Sequence, residues 1–290
     1  MIKHYLNTPF HYVEYVIGLL LLVAFYLAST YHYLLFHSLI EISSIIIASG
    51  VFMLTWNSRH FVENDYYLLL GVAYLFVGAF DLIHTFAYQG MGIFDGDNAN
   101  LATQLWISAR YLESTSLLMA SLFALKGRQI SPYRLFTVYL CLFIVVLLAI
   151  FWLRIFPLTY VEGSGLTRFK ISSEFIISAI FGSTLFVLYG QRHHFDALML
   201  KWLMLSICFS IAAELFFTLY KDVYGLTNLF GHYCKIVSFF LIYKAVIQTS
   251  LLRPYASLFH DISDEIEQRK TIEIALRENE KYRRTLIEES

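Results

Sequence analysis

Eight separate runs of roughly twenty mostly apolar residues dominate the chain: Tyr12–Thr30, Leu34–Trp56, Tyr66–Tyr88, Leu101–Leu125, Tyr133–Leu153, Ile171–Tyr189, Ala197–Leu219 and Leu229–Thr249. A helix needs about 20 such residues to cross the hydrocarbon layer. Within lipid, every backbone N–H and C=O has to be satisfied inside the segment or around a closed barrel. Barrel strands alternate apolar and polar positions, and runs such as LFIVVLLAIFWL do not. The pattern predicts an all-α polytopic membrane bundle of eight transmembrane helices. The first run is too long for a signal peptide, carries Glu14 and has no small-x-small cleavage site, so it reads as an uncleaved span.

Composition agrees. Hydrophobic residues make up 58% of the 290 and charged residues only 15%, against about 25% in soluble domains. Such a chain has too little polar surface to fold as a water-soluble globule. A soluble enzyme, a disordered protein and a nucleic-acid binder working through a basic face are excluded. The net charge of −1 implies no electrostatic partner. Cys141, Cys208 and Cys234 lie inside apolar runs without CxxC spacing and read as small core residues.

Charge is unevenly spread: 15 of the 43 charged side chains fall in Pro254–Ser290. This divides the chain into an integral membrane domain, 1–252, and a charged tail, 253–290. Basic residues near the span ends set the orientation. With the N-terminus inside, Lys3, Arg59, Lys126, Arg128, Arg134, Arg192, Lys201 and Arg253 fall on the cytoplasmic side, against Arg154, Arg168, Lys170 and Lys221 outside. Both termini are then cytoplasmic.

Ionisable side chains within a bilayer are costly and mark functional sites by default. The spans carry His37 and Glu41, Asp81 and His84, Arg110 and Glu113, Glu174, Glu214, and His232 with Lys235. In the inferred orientation all ten fall in the outer half. His37/Glu41 are spaced i,i+4, and Asp81/His84, Arg110/Glu113 and His232/Lys235 are spaced i,i+3, so each pair shares a helix face. Those faces continue with small residues: Ser44, Ala48, Gly78, Ala109, Ser206, Ser210 and Gly231. Small residues mark the side on which membrane helices meet. The polar pairs are therefore expected to face a shared cavity open toward the outer surface.

Four uses of that cavity stand open at this level. It could be a self-satisfied polar network that pins the bundle. It could hold a small ligand, with Arg110 and Lys235 gripping an anionic group and Glu113, Glu214, His232 and the other acids and histidines tuning it. His37, Glu41, Asp81 and His84 could hold a divalent first-row metal ion, a set similar to those of helical di-metal bundles. The histidines could also sense protons.

The loop GMGIFDGDNANLATQLW has Gly90, Gly92 and Gly96 for a tight turn, with Asp97 to Asn100 positioned to cap the fourth span. It could also act as a lid over the cavity. His193–His194 reads as a solvated turn. In the tail, Leu258, Ile262, Ile266, Ile272, Leu276 and Leu286 recur at helical period among charges of both signs, as in a signalling helix that dimerises in parallel. His260–Asp261 only faintly resembles a histidine-kinase phospho-acceptor neighbourhood.

The segment FDLIHTFAYQGMGIFDGDNANLATQLWISARYLESTSLL, with FHSLIEISSIII and WNSRHF, resembles the MASE3 family of bacterial membrane-associated sensor domains over residues 10 to 250. ENEKYRRTLIEES resembles the opening of a PAS domain. The resemblance implies an input domain in the cytoplasmic membrane, with histidine-kinase or cyclic-di-GMP output modules beyond this segment. His37, Glu41, Asp81, His84, Arg110 and Glu113 fall on the family pattern. The expectation is a non-enzymatic sensor that uses lipid, a second copy and cytoplasmic output domains as partners, and no nucleic acid. The alternatives are a transporter or channel with a regulatory tail, and an intramembrane enzyme built on the His/Asp/Glu cluster.

Overall fold

The computed structural model describes residues 10–60, 65–94, 99–123, 130–219, 225–247, 265–277 and 279. Eight long helices stand at the eight apolar runs. They are α1 (Phe10–Tyr31), α2 (Tyr33–Ser58), α3 (Asp65–Phe86), α4 (Ala99–Phe123), α5 (Pro132–Leu147, extended by a π turn to Trp152), α6 (Arg168–Gly190), α7 (Ala197–Thr218) and α8 (Leu226–Ile247). A ninth helix, α9, covers 265–277. Local chemistry sets several starts. Pro132 opens α5, where its missing N–H costs nothing. The Thr167 hydroxyl accepts from Lys170 N, and the Asp196 carboxylate accepts from Leu198 N and Met199 N.

Six of these helices, α2, α3, α5, α6, α7 and α8, are long and apolar enough to cross a membrane. The expectation of eight is met only in part, for two reasons. In α1 the described apolar stretch is the shorter Val16–Tyr31. In α4, Gln104, Arg110, Glu113 and several serines dilute the apolar run, and these side chains are buried against other helices.

The helices close into a ring. α2 packs on α3, α3 on α4, α4 on α6, α6 on α7, α7 on α8, and α8 returns to α2; α1 lies outside against α2 and α5 outside against α3. Burial follows position: α3 is mostly buried, whereas α5 is mostly exposed. The outward faces of α1 and α5 present Leu19, Leu20, Val138, Leu142 and Val145, surfaces suited to lipid and not to water.

The ring closes tightly where side chains are small. A Cβ on Gly71 would lie 1.7 Å from the Thr55 hydroxyl, and one on Gly78 would lie 3.2 Å from Ala48 Cβ. Gly71/Gly78 on α3 thus oppose Thr55/Ala48 on α2, each pair seven residues apart. Gly231 receives the Phe217 ring at 2.6 Å from its own missing Cβ. Ser206 and Ser210 on α7 bond the Ser238 hydroxyl of α8 at 2.8 and 2.7 Å. The sequence places Gly78, Ala48, Gly231, Ser206 and Ser210 on meeting faces, and they lie there; Gly71, Thr55 and Ser238 are additions.

Three details depart from the sequence reading. Cys141 and Cys208 are exposed, so they are not core residues, while Cys234 is partly buried and packs against the core; at an outward helix face sulfur meets lipid as readily as any apolar group. Between α5 and α6 the chain forms a small hairpin, β1 (Tyr160–Val161) with β2 (Gly165–Leu166), too short to leave a periodic signal. Asn100 does not cap α4 from outside. It lies within the helix, and its Oδ1 accepts from Thr159 N and Tyr160 N at 2.9 and 3.1 Å, strapping the hairpin over the start of α4. Gln104 donates to Phe156 O and Pro157 O in the same strap. Gly90 and Gly92 adopt φ of 92° and 65°, the left-handed turn expected of them. Gly96, Asp97 and the tail residues His260–Asp261 lie outside the described residues. His193–His194 form an exposed single turn.

Candidate functional site

The ring encloses a dense set of ionisable groups. Among the described residues, five carboxylates (Glu41, Asp81, Glu113, Glu174, Glu214), three Arg and Lys side chains (Arg110, Lys170, Lys235) and three imidazoles (His37, His84, His232) are buried, none more than 4% exposed. They lie toward the start of α2, α6 and α8, toward the end of α3 and α7, and near the middle of α4. Antiparallel packing brings these levels together.

Two ion-pair systems organise the cluster. Arg110 grips Asp81 with both carboxylate oxygens in reach of Nη2, at 2.9 and 3.0 Å, and its Nη1 pairs with Glu113. Tyr74 donates to the other Glu113 oxygen at 2.8 Å. Lys235 bridges two helices from a third: its Nζ stands 2.5 Å from Glu41 Oε2 on α2 and 3.0 Å from Asp81 Oδ2 on α3. The indole of Trp106 lies under both cations, 4.7 Å from the Arg110 guanidinium carbon and 4.9 Å from Lys235 Nζ, a desolvated cation–π arrangement. Lys170 pairs with Glu174 one turn along α6. Glu214 lines a narrow gap with Trp106, Arg110, Ser210 and Lys235.

The histidines form a second centre beside Glu41. The His37 ring stacks on Tyr88, with centroids 3.5 Å apart, and meets His84 and His232 edge to face at 5.4 and 4.9 Å. Both nitrogens of His37 lack a hydrogen-bond partner. His84 Nδ1 lies 2.7 Å from the Ala102 carbonyl; only an N–H fits there, which leaves Nε2 with its lone pair and without a partner. His232 Nδ1 is 3.0 Å from Glu41 Oε1, but out of line for a hydrogen bond. Ligand atoms of His37, Glu41 and His84 all lie within 4.8 Å of one another. Asp81 stands apart from this trio, because its oxygens are taken by Arg110 and Lys235.

The ten ionisable residues singled out in the sequence are therefore all buried within the ring, but the space between them is small. A cavity of about 30 Å³ is lined by His84, Trp106, Lys170, Phe217, Asn228 and His232 among others. That is enough for about two waters or an ion. Among the described residues the expected broad hollow is filled, since Arg110 and Lys235 already hold carboxylates where an anionic ligand would sit. Lys170, Trp106, Tyr74 and Tyr88 escaped the sequence reading. Lys170 was assigned to the outer loop, yet it begins α6 and is buried; its i,i+4 spacing to Glu174 was the available signal. Trp106 carried one too, four residues before Arg110.

The tail helix is exposed along 265–277 and laced by the i,i+4 pairs Glu265–Arg269 and Glu273–Arg277. Ile266, Ile272, Ile274 and Leu276 are exposed on it.

A family model described as a membrane-associated sensor domain, MASE3, matches residues 28–254, more than three-quarters of the chain. No curated protein and no solved structure matches the chain. The family match stops at residue 254, and nothing found supports a PAS-type segment after it. It spans every ring helix and every buried ionisable residue named above. The chain belongs to the MASE3 family of membrane-associated sensor domains.

Proposed function

We propose that this chain is the sensory input domain of a bacterial signal-transduction protein, and that its stimulus acts on the buried polar cluster. In this reading eight helices cross the cytoplasmic membrane, both termini lie in the cytoplasm, and the cluster faces the outer half. Residues 253–290 pair with a second copy and pass the signal to a histidine-kinase or cyclic-di-GMP output domain. Family membership supports the sensory role.

One observation carries the mechanism. Lys235, on the last ring helix, is held by carboxylates from two other helices. Buried ion pairs of this kind are high-stakes, because an uncompensated partner is costly. A stimulus that changes the charge or occupancy beside Glu41 alters what Lys235 holds, and so favours a different seating of α8. A shift of 1–2 Å or a small rotation of a packed helix is the usual output of such a switch. The chain leaving α8 leads to the tail.

A transporter is less favoured, because the buried charged side chains described cluster at one level of the ring and trace no path through it. The test is a fusion of the full chain to a reporter kinase whose activity follows helix orientation. Glu41→Gln and Asp81→Asn should each lock the reporter in one output state while membrane insertion stays normal. Wild-type output from both variants would overturn the reading.

A further inference from the structure

We infer that His37, Glu41 and His84, with His232 beside them, form a binding site for one divalent first-row transition-metal ion. The inference deepens the sensory reading, rests on it for biological meaning, and names the stimulus class.

Three independent observations lead there. The first is polar satisfaction. Buried polar atoms are almost always hydrogen-bonded. Here three buried atoms lack a partner, both nitrogens of His37 and Nε2 of His84, and beside them Glu41 Oε1 faces His232 Nδ1 at 3.0 Å. All belong to residues no more than 4% exposed. Each neutral imidazole offers one lone pair and the Glu41 carboxylate another, the donors that a metal needs.

The second is donor chemistry. Imidazole nitrogen suits zinc, copper, iron and nickel, and a carboxylate completes such sets. His84 is oriented as bound histidines usually are, its other ring nitrogen fixed by a backbone carbonyl. Glu41 divides its oxygens, Oε2 to Lys235 and Oε1 toward the histidines, so it offers one oxygen without giving up its ion pair. With bonds of about 2.1 Å, tetrahedral ligand atoms sit about 3.4 Å apart. The trio is already within 4.8 Å, a gap that side-chain rotation closes.

The third is charge. Among the described residues five buried carboxylates stand against three buried Arg and Lys side chains, so a divalent ion enters a setting richer in acidic than in basic groups. The small cavity that reaches His84 and His232 runs among Gln89, Thr103 and Asn228 at the helix ends, a way in for an ion but not for an organic molecule of any size.

The test uses the full untagged chain in nanodiscs, stripped with chelator and titrated with Co²⁺. One Co²⁺ per chain should bind, with visible ligand-field absorption, and Zn²⁺ should displace it. His37→Ala and His84→Ala should each weaken binding by more than the roughly 100-fold that follows loss of an outer-shell partner. His84→Cys keeps a ligand and should add a thiolate-to-cobalt charge-transfer band, a signature that a misfolded or merely structural site does not give. No Co²⁺ uptake, or adventitious uptake that is unchanged in the histidine variants, overturns the inference. The reporter fusion separates the two claims. Loss of signalling in Glu41→Gln with no metal bound leaves the sensor reading standing and removes the metal. Metal bound with output indifferent to it does the reverse.

Discussion

Replacing Lys235 with methionine keeps the length of the side chain and removes its charge. The structure sets the size of the effect. Nζ lies 2.5 Å from Glu41 and 3.0 Å from Asp81, and all three residues are at most 2% exposed. At an effective dielectric constant of about 20, unit charges 3 Å apart attract by about 5 kcal/mol before desolvation is counted. Asp81 keeps Arg110, so its loss is softened. Glu41 retains no permanent cation among its described contacts. Breaking a buried pair by deleting one partner costs about 3–5 kcal/mol. Neutral hydrogen bonds between membrane helices average only about 0.6 kcal/mol. The two magnitudes are far enough apart to distinguish. Reversible unfolding in mixed micelles, followed by circular dichroism and by the fluorescence of Trp106 and the other tryptophans, should show Lys235→Met losing at least about 3 kcal/mol, roughly 150-fold in the folding equilibrium. Adding Glu41→Gln removes the stranded charge, so the double variant should be more stable than the two losses summed, by more than about 1 kcal/mol. A single loss near 0.6 kcal/mol with additive behaviour would refute the claim that Lys235 and Glu41 act as a desolvated ion pair.

Two further outcomes probe the frame around the site. Gly71→Ala drives a methyl into Thr55, where its Cβ would stand 1.7 Å from the hydroxyl; it should destabilise by about 1–3 kcal/mol or more, and Thr55→Gly should restore part of the loss in the same unfolding assay. Asn100→Ala strands the Thr159 and Tyr160 N–H groups that its side chain accepts, at about 1–3 kcal/mol for each that stays dry. The hairpin should then become sensitive to limited proteolysis at 158–166, while Asn100→Asp, which keeps the acceptor, should stay resistant.

Much of this architecture is legible in one dimension because the bilayer is a demanding solvent. Runs of about twenty apolar residues have one satisfactory backbone solution in lipid, so all eight helices lie where hydropathy places them. Helical period brings His37 with Glu41, and Asp81 with His84, onto single faces, and the cost of a buried charge marks those faces as inward. The order of the ring, with α1 and α5 left outside, is set by which surfaces interlock, and no local pattern encodes it.

Which charge meets which was likewise decided only by tertiary packing. Spacing joins Arg110 to Glu113, and that pair forms; it also joins Asp81 to His84, yet Asp81 is held across helices by Arg110 and Lys235, and His84 turns instead to His37. Period alone cannot say that the Trp106 ring lies under two cations or the Tyr88 ring against an imidazole. Lys170 reads as a loop residue because a hairpin of two-residue strands is invisible to periodicity. Sequence set the inventory of buried charge and the level at which it sits, since both follow from transfer energies of single residues. The division into an ion-pair half and a histidine half depends on distances between residues up to 194 positions apart, and those exist only once the ring has closed.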